Sequence, residues 1–154
     1  MPLNRAPVSV LIPCYNSADV IGDCLESVSW ADEIFVCDSF STDATLKIAR
    51  RYTNRIVQHA YATSATQKNW AIPQLRHEWV LIVDTDERVS PALRREIEAA
   101  LSADCSYDGF RIPRLNHVFG RAAPLSGIKH QRPGVLIHQP AESFRSHHED
   151  DASR

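Results

Sequence analysis

The sequence predicts an α/β fold in which a mostly parallel central sheet is covered by helices on both faces. Three observations carry that expectation. Short apolar runs alternate with segments of helical periodicity. The runs are unbroken rather than alternating with polar residues, as in strands buried on both faces. Polar residues follow the ends of three of these runs, where an open parallel sheet binds its ligands. At 154 residues, the chain has the size of one domain and buries roughly 70% of the surface its unfolded form exposes.

The elements follow in order. Val8 to Ile12 is a buried strand stopped by Pro13. Val20, Ile21, Cys24, Leu25 and Val28 then repeat at the spacing of one helix face, with Ser17 as N-cap. Glu33 to Cys37 is the second strand. The segment DSFSTDATLKIARRY enters a helix through capping hydroxyls and places Leu46, Ala49 and Tyr52 on one face. Arg55 to Gln58 is a third strand, and Thr63 to Leu75 a helix that Pro73 ends or kinks. Trp79 to Asp84 is the fourth strand. Ser90-Pro91 opens a helix with the apolar face Leu93, Ile97, Ala100 and Leu101. Gly109 to Pro113 is a further strand. Trp30, Trp70 and Trp79 lie in or beside apolar segments and read as core.

Residues 1–121 thus form the core domain. From 122 to 154 periodicity fades, and Val135 to Ile137 is the only apolar knot, so this stretch is expected to be a poorly ordered tail.

Composition excludes several classes. The formal net charge of -2 offers no basic face for nucleic acid. No apolar run approaches the roughly 20 residues that span a bilayer, and the N-terminus lacks the pattern of a secretory signal. Cys14, Cys24, Cys37 and Cys105 form no C-x-x-C pair and read as reduced thiols of a cytoplasmic protein.

The chemistry concentrates at strand ends. Asp84-Thr85-Asp86-Glu87 sets three carboxylates at the tip of a greasy strand. If the backbone stays extended, Asp84 and Asp86 point the same way and offer hard oxygens to Mg²⁺ or Mn²⁺; otherwise they are a solvated acidic turn. Asp38 ends the second strand, where it can accept hydrogen bonds from a base or ribose. Ser39, Ser41 and Thr42 behind it read first as helix caps. Tyr15-Asn16 follows the first strand. Cys37 has no evident activating base.

The ordered set VSVLIPCYN, WADEIFVCDSFSTDATLKIARRY, QKNWAI, WVLIVDTDERVSPALRREIEAAL and DGFRIPR resembles the inverting GT-A glycosyltransferases of family 2. It is most similar to their lipopolysaccharide or lipooligosaccharide core β-1,4-glucosyltransferases, over about residues 7 to 121. The resemblance implies a Rossmann-like three-layer sandwich and a UDP-sugar donor. It also implies a saccharide or lipid-linked acceptor, a divalent ion, and work at the inner face of the membrane. By the same resemblance Pro13 and Tyr15 lie against the uracil, Asp38 hydrogen-bonds it, and Lys68 stands on the nucleotide side. Asp84 is expected near the ribose and Asp86 on the metal, with Glu87 in support or merely beside a helix start.

Relatives extend further, and their general base, an Asp or Glu that deprotonates the acceptor, belongs to that further region. On this comparison the acceptor half is expected to be cut short. Glu142, Glu149, Asp150 and Asp151 read as solvated tail charges, and His147-His148 as no metal cage. Two rivals remain open. A haloacid-dehalogenase-type phosphatase would use Asp84 as nucleophile, although that motif normally sits on the first strand. A nucleotide-sugar-binding module or catalytically impaired remnant would bind nucleotide without transfer.

Overall fold

The computed structural model describes residues 4–102 and 107–113, and three further strand segments at 117–118, 121–122 and 134–138. The elements with described ends are β1 (Val8–Cys14), α1 (Ile21–Ser27), β2 (Glu33–Asp38), α2 (Thr45–Ala49), β3 (Ile56–Gln58), α3 (Ser64–Ala71), β4 (Trp79–Ile82) and α4 (Pro91–Ser102). They are followed by β5 (Gly109–Ile112), the short pair β6 (His117–Val118) and β7 (Arg121–Ala122), and β8 (Gly134–His138). A six-stranded sheet runs in the order β3-β2-β1-β4-β8-β5. Strands β1 to β4 pair in parallel, whereas β8 is antiparallel to both β4 and β5.

The unbroken apolar runs are explained by burial on both faces. Val8, Val10 and Ile12 share one core with Ile21, Cys24 and Leu25 of α1 and Ile97 and Leu101 of α4. Leu11, Phe35 and Cys37 meet Ala71, Ile72, Val80 and Ile82 on the opposite face. The sheet therefore lies between two helical layers, as the apolar runs predict.

Local signals hold at several helix ends. Thr63 caps α3 by accepting a hydrogen bond from Thr66 N–H at 3.1 Å, and Pro73 turns the following residues into a 3-10 turn, Ile72–Gln74. Ser90 Oγ accepts from Leu93 N–H at 3.1 Å, directly before Pro91 opens α4.

The structure corrects other expectations. Pro13 does not end β1, which runs on to Cys14 and pairs Pro13 with Cys37 of β2. The reason lies in which side each residue faces. Leu11 O accepts from Val83 N–H on the β4 side, so Pro13, two residues on, turns its missing N–H to that side after β4 has ended. Ser17 does not cap α1 with its side chain: the N-cap is Val20, whose N–H bonds to Ser17 O, while Ser17 Oγ donates to Tyr15 O. The hydroxyls of Ser39, Ser41 and Thr42 do not cap α2 either; Asp43 accepts from Thr45 N–H at 2.9 Å instead. Trp79 is core at 5% exposure, but Trp70 is a surface residue stacked on His59 at 4.1 Å.

The largest correction concerns the stretch placed outside the core. Gly134–His138 enters the sheet between β4 and β5, and Leu136 is 1% exposed. A Cβ at Gly109 would stand 2.9 Å from Leu136 O, so a side chain there would keep β5 from closing on β8. Cys105, Glu142, His147, His148, Glu149, Asp150 and Asp151 lie outside the described residues.

Candidate functional site

Four parallel strands end at one edge of the sheet, and the loops that follow them are stitched together. Ser39 N–H extends the ladder to Cys14 O at 2.8 Å, and His59 N–H extends it to Asp38 O at 2.9 Å. Asn16 N–H donates to Ser41 Oγ at 2.8 Å, and Thr42 N–H returns a bond to Asn16 Oδ1 at 2.8 Å. Ser17 N–H reaches Thr45 Oγ1, and Ala18 N–H reaches Asp43. Thr85 Oγ1 lies 3.2 Å from Ser17 Oγ, which ties in the loop after β4. Tyr15-Asn16, Asp38-Ser39 and Asp84-Thr85-Asp86, the three polar strand ends, therefore lie on adjoining loops at the carboxyl edge of the sheet.

Two loop residues occupy the left-handed region, Asn16 at φ 42° and Phe40 at φ 60°. Asparagine tolerates that conformation, whereas phenylalanine enters it at a cost. Both loops carry aromatic rings into solvent, Tyr15 at 59% and Phe40 at 54% exposure.

Asp38 was expected to reach outward to a base. Its position at the end of β2 is as predicted, but its side chain is 0% exposed and held from within. Oδ1 accepts from Cys14 Sγ at 3.4 Å and from Ser41 Oγ. Oδ2 accepts from Ser41 N–H at 2.9 Å and from Gln58 Nε2 at 3.0 Å. Burial pushes this carboxyl up, but the bonds from Ser41, Gln58 and Cys14 outweigh it and hold Asp38 below the ordinary carboxylate value.

The Asp84-x-Asp86 pair does not sit on an extended segment. β4 ends at Ile82, and the chain turns through Thr85-Asp86. Glu87 closes that turn: its carboxylate accepts from Asp84 N–H at 2.9 Å, and its own N–H donates to Asp84 O at 3.0 Å. Cys24 Sγ also donates to Asp84 O. Asp84 is half-buried and Asp86 exposed, so the turn braces the Asp84 backbone and leaves Asp86 at the surface. Among the described residues no three His, Cys, Asp or Glu side chains form a cage. The donor set fits an ion of the Mg²⁺ or Mn²⁺ kind, which one or two carboxylates hold while phosphate oxygens complete the shell.

Lys68 lies half-buried on α3. The preceding residue, Gln67, anchors that helix to the end of β2, donating to Ser39 Oγ at 2.8 Å and to Cys37 O at 3.5 Å. Pro13 is half-buried in β1. Cys14, Cys24 and Cys37 are free and buried. Burial raises all three thiols, Cys37 to about 11 and Cys24 to about 12, so none supplies a thiolate nucleophile.

Sequence reasoning missed Gln58, Gln67 and Phe40. Gln58 carried a usable signal, since Gln58-His59 is a fourth polar strand end. Phe40 carried none, because a positive φ is a property of the closed turn.

Comparison with known proteins places these strand ends in context. The Glycosyl transferase family 2 profile matches residues 9–146. The lipopolysaccharide core biosynthesis glycosyltransferase LpsC of Rhizobium meliloti (strain 1021) is 30% identical over 138 residues, which cover 86% of this chain and 51% of LpsC. The structure of S. aureus TarS 1-349 in complex with UDP aligns with a TM-score of 0.60 at 29% identity, over 80% of this chain and 40% of that one. The mannosyltransferase PcManGT from Pyrobaculum calidifontis, in complex with GDP-Man and Mn²⁺, aligns with a TM-score of 0.60 at 27% identity, over 71% and 36%. The chain thus spans about half the length of LpsC. The fold of these neighbours is the glycosyltransferase GT-A fold, a Rossmann-like sandwich.

Proposed function

Because this chain belongs to glycosyl transferase family 2, we propose that it serves inverting transfer of a sugar from a UDP-sugar to a saccharide acceptor. UDP-glucose is the donor proposed first, with cell-envelope polysaccharide assembly as the setting. The observation that carries this reading is the meeting of the strand-end loops. Aromatic rings, the Asp38 cluster and the Asp84-x-Asp86 turn meet at the carboxyl edge of a parallel sheet, the position at which open α/β sheets bind nucleotides.

In this reading Pro13, Tyr15, Asp38 and Lys68 form the nucleobase end of the site. Asp84 stands toward the ribose, and Asp86 holds Mg²⁺ or Mn²⁺. Carboxylates repel a diphosphate, so a cation belongs between them. When bound, it neutralises charge on the departing UDP. The chain's own part is to hold the turn: Glu87 and Cys24 fix the Asp84 backbone, and Thr85 ties the turn to Ser17. The likeness to LpsC supports an envelope acceptor, and we place the reaction in the cytoplasm at the inner membrane face. No described helix is long and apolar enough to cross a membrane.

Calorimetric titration of UDP into the chain, with and without Mn²⁺, tests this reading. The wild type is expected to bind UDP more tightly with Mn²⁺, and Asp86→Ala to lose that gain while remaining folded. A folded wild type that binds no UDP under either condition overturns the proposal. Binding without transfer to any saccharide would instead support the nucleotide-sugar-binding module.

A further inference from the structure

Thr85 stands between the two carboxylates of the Asp84-x-Asp86 turn, and its hydroxyl reaches out of the turn to another loop. Thr85 Oγ1 lies 3.2 Å from Ser17 Oγ, and Ser17 Oγ lies 2.9 Å from Tyr15 O. A hydroxyl has one hydrogen to give. Ser17 gives its own to the Tyr15 carbonyl, so toward Thr85 it can only accept, and Thr85 must donate. The chain of bonds therefore has one direction, from the turn after β4 through Ser17 to the backbone of the loop after β1.

Ser17 is a fixed post for this chain. Its N–H donates to Thr45 Oγ1 at 2.7 Å, and Thr45 is wholly buried. Its carbonyl accepts from Val20 N–H and Ile21 N–H, where α1 begins. Thr85 is β-branched, which restricts the rotamers its hydroxyl can adopt. Both residues are half-buried. Other bonds hold the turn in other directions. Glu87 closes it on itself, Cys24 holds it to α1, and Arg88 spans from Thr85 O and Glu87 O to Asp23 of α1. The hydroxyl chain sets it against the loop that carries Tyr15.

That placement matters for a ligand held at both ends. A nucleoside diphosphate fixed by its base at the loop after β1 reaches a cation at the turn only if the spacing is right. A small misplacement removes much of the gain from the second contact. We propose that Thr85 and Ser17 are positioning residues whose hydroxyl chain keeps the cation-holding turn in register with the nucleobase loop, so that each end of the site strengthens binding at the other. The inference rests on the nucleotide-binding reading above and joins its two ends.

The test is calorimetric binding of UDP, with and without Mn²⁺, to wild type, Thr85→Val, Thr85→Ser, Ser17→Ala and the double variant, each checked by thermal unfolding. Thr85→Val should keep metal-free UDP affinity within about twofold of wild type. Its Mn²⁺-dependent gain in affinity should fall by about fivefold, the worth of one hydrogen bond. Thr85→Ser keeps the hydroxyl and should keep the gain. Ser17→Ala should lose as much as Thr85→Val, and the double variant no more than either, because the same chain is broken in each. If Thr85→Val retains the wild-type gain, or Thr85→Ser loses it as fully as Thr85→Val, the hydroxyl is not the tie and the proposal fails. Losses that add in the double variant mean two separate effects, and the proposal fails again. A wild type that binds UDP but gains nothing from Mn²⁺ removes the metal end of the site and this inference with it, whereas one that binds no UDP at all sinks the nucleotide-binding reading itself.

Discussion

Phe40 holds a left-handed backbone at φ 60° while about half of its surface stays in water. Such a conformation costs an L-residue roughly 1–2 kcal/mol, and a ring this exposed recovers little of that by burial. The turn imposes it. Ser41 N–H is drawn back to Asp38 and Thr42 N–H to Asn16, so Phe40, directly before them, must reverse the chain. Phe40→Gly should therefore leave stability within about 1 kcal/mol of wild type, because relief of strain offsets the added freedom of the unfolded glycine. Phe40→Val should destabilise by about 1–2 kcal/mol, since a branched β-carbon is worse tolerated at positive φ. Urea unfolding of the two variants reads the difference, and a Phe40→Gly protein markedly less stable than wild type would show that the ring itself holds the turn. Asp38 illustrates the other limit at this scale. Its residue type and place at a strand end were legible, but the four donors around it come from three separate segments.

Short-range signals sufficed for elements whose partners lie close in sequence. Ser90 caps its helix as the sequence predicts, a helix begins where Thr63 was expected to start one, and the parallel strands carry the expected unbroken apolar runs. β8 carried only three apolar residues, and its partners β4 and β5 belong to other parts of the chain. Its status as an interior strand comes from filling a gap that β4 and β5 create together. Leu136, almost wholly buried at the centre of that strand, is the direct check. Leu136→Ala should lower stability by about 3 kcal/mol in urea unfolding, within the usual cost of a core leucine truncation. A loss below about 0.5 kcal/mol, the scale of surface substitutions, would mean that β8 is not part of the core.

The charges of the whole molecule set its response to acid. Asp32, Glu33, Asp38 and Asp43 all lie below their ordinary values of 3.8 and 4.5. For the first three, burial alone would raise the carboxyl, and hydrogen bonds from Arg5, Val8, Arg76, Ser9, Arg55 and the Asp38 cluster more than reverse it. Because the folded values are depressed, the stability these groups confer is complete above the ordinary values and is lost as pH falls through the folded ones. The unfolding temperature should hold near neutrality and drop progressively below about pH 4.5, and Asp38→Asn should flatten part of that drop in thermal scans. An unfolding temperature that rises on acidification would contradict these carboxylate assignments. By itself the sequence determined the fold class, the order of the parallel strands with their helices, and the edge at which polar residues gather, because each depends on periodicity and local chemistry. Only the tertiary structure decided that Asp38 is buried among hydrogen-bond donors from its neighbours and that β8 completes the sheet. These outcomes depend on which distant segments arrive side by side, and that depends on packing the whole chain at once.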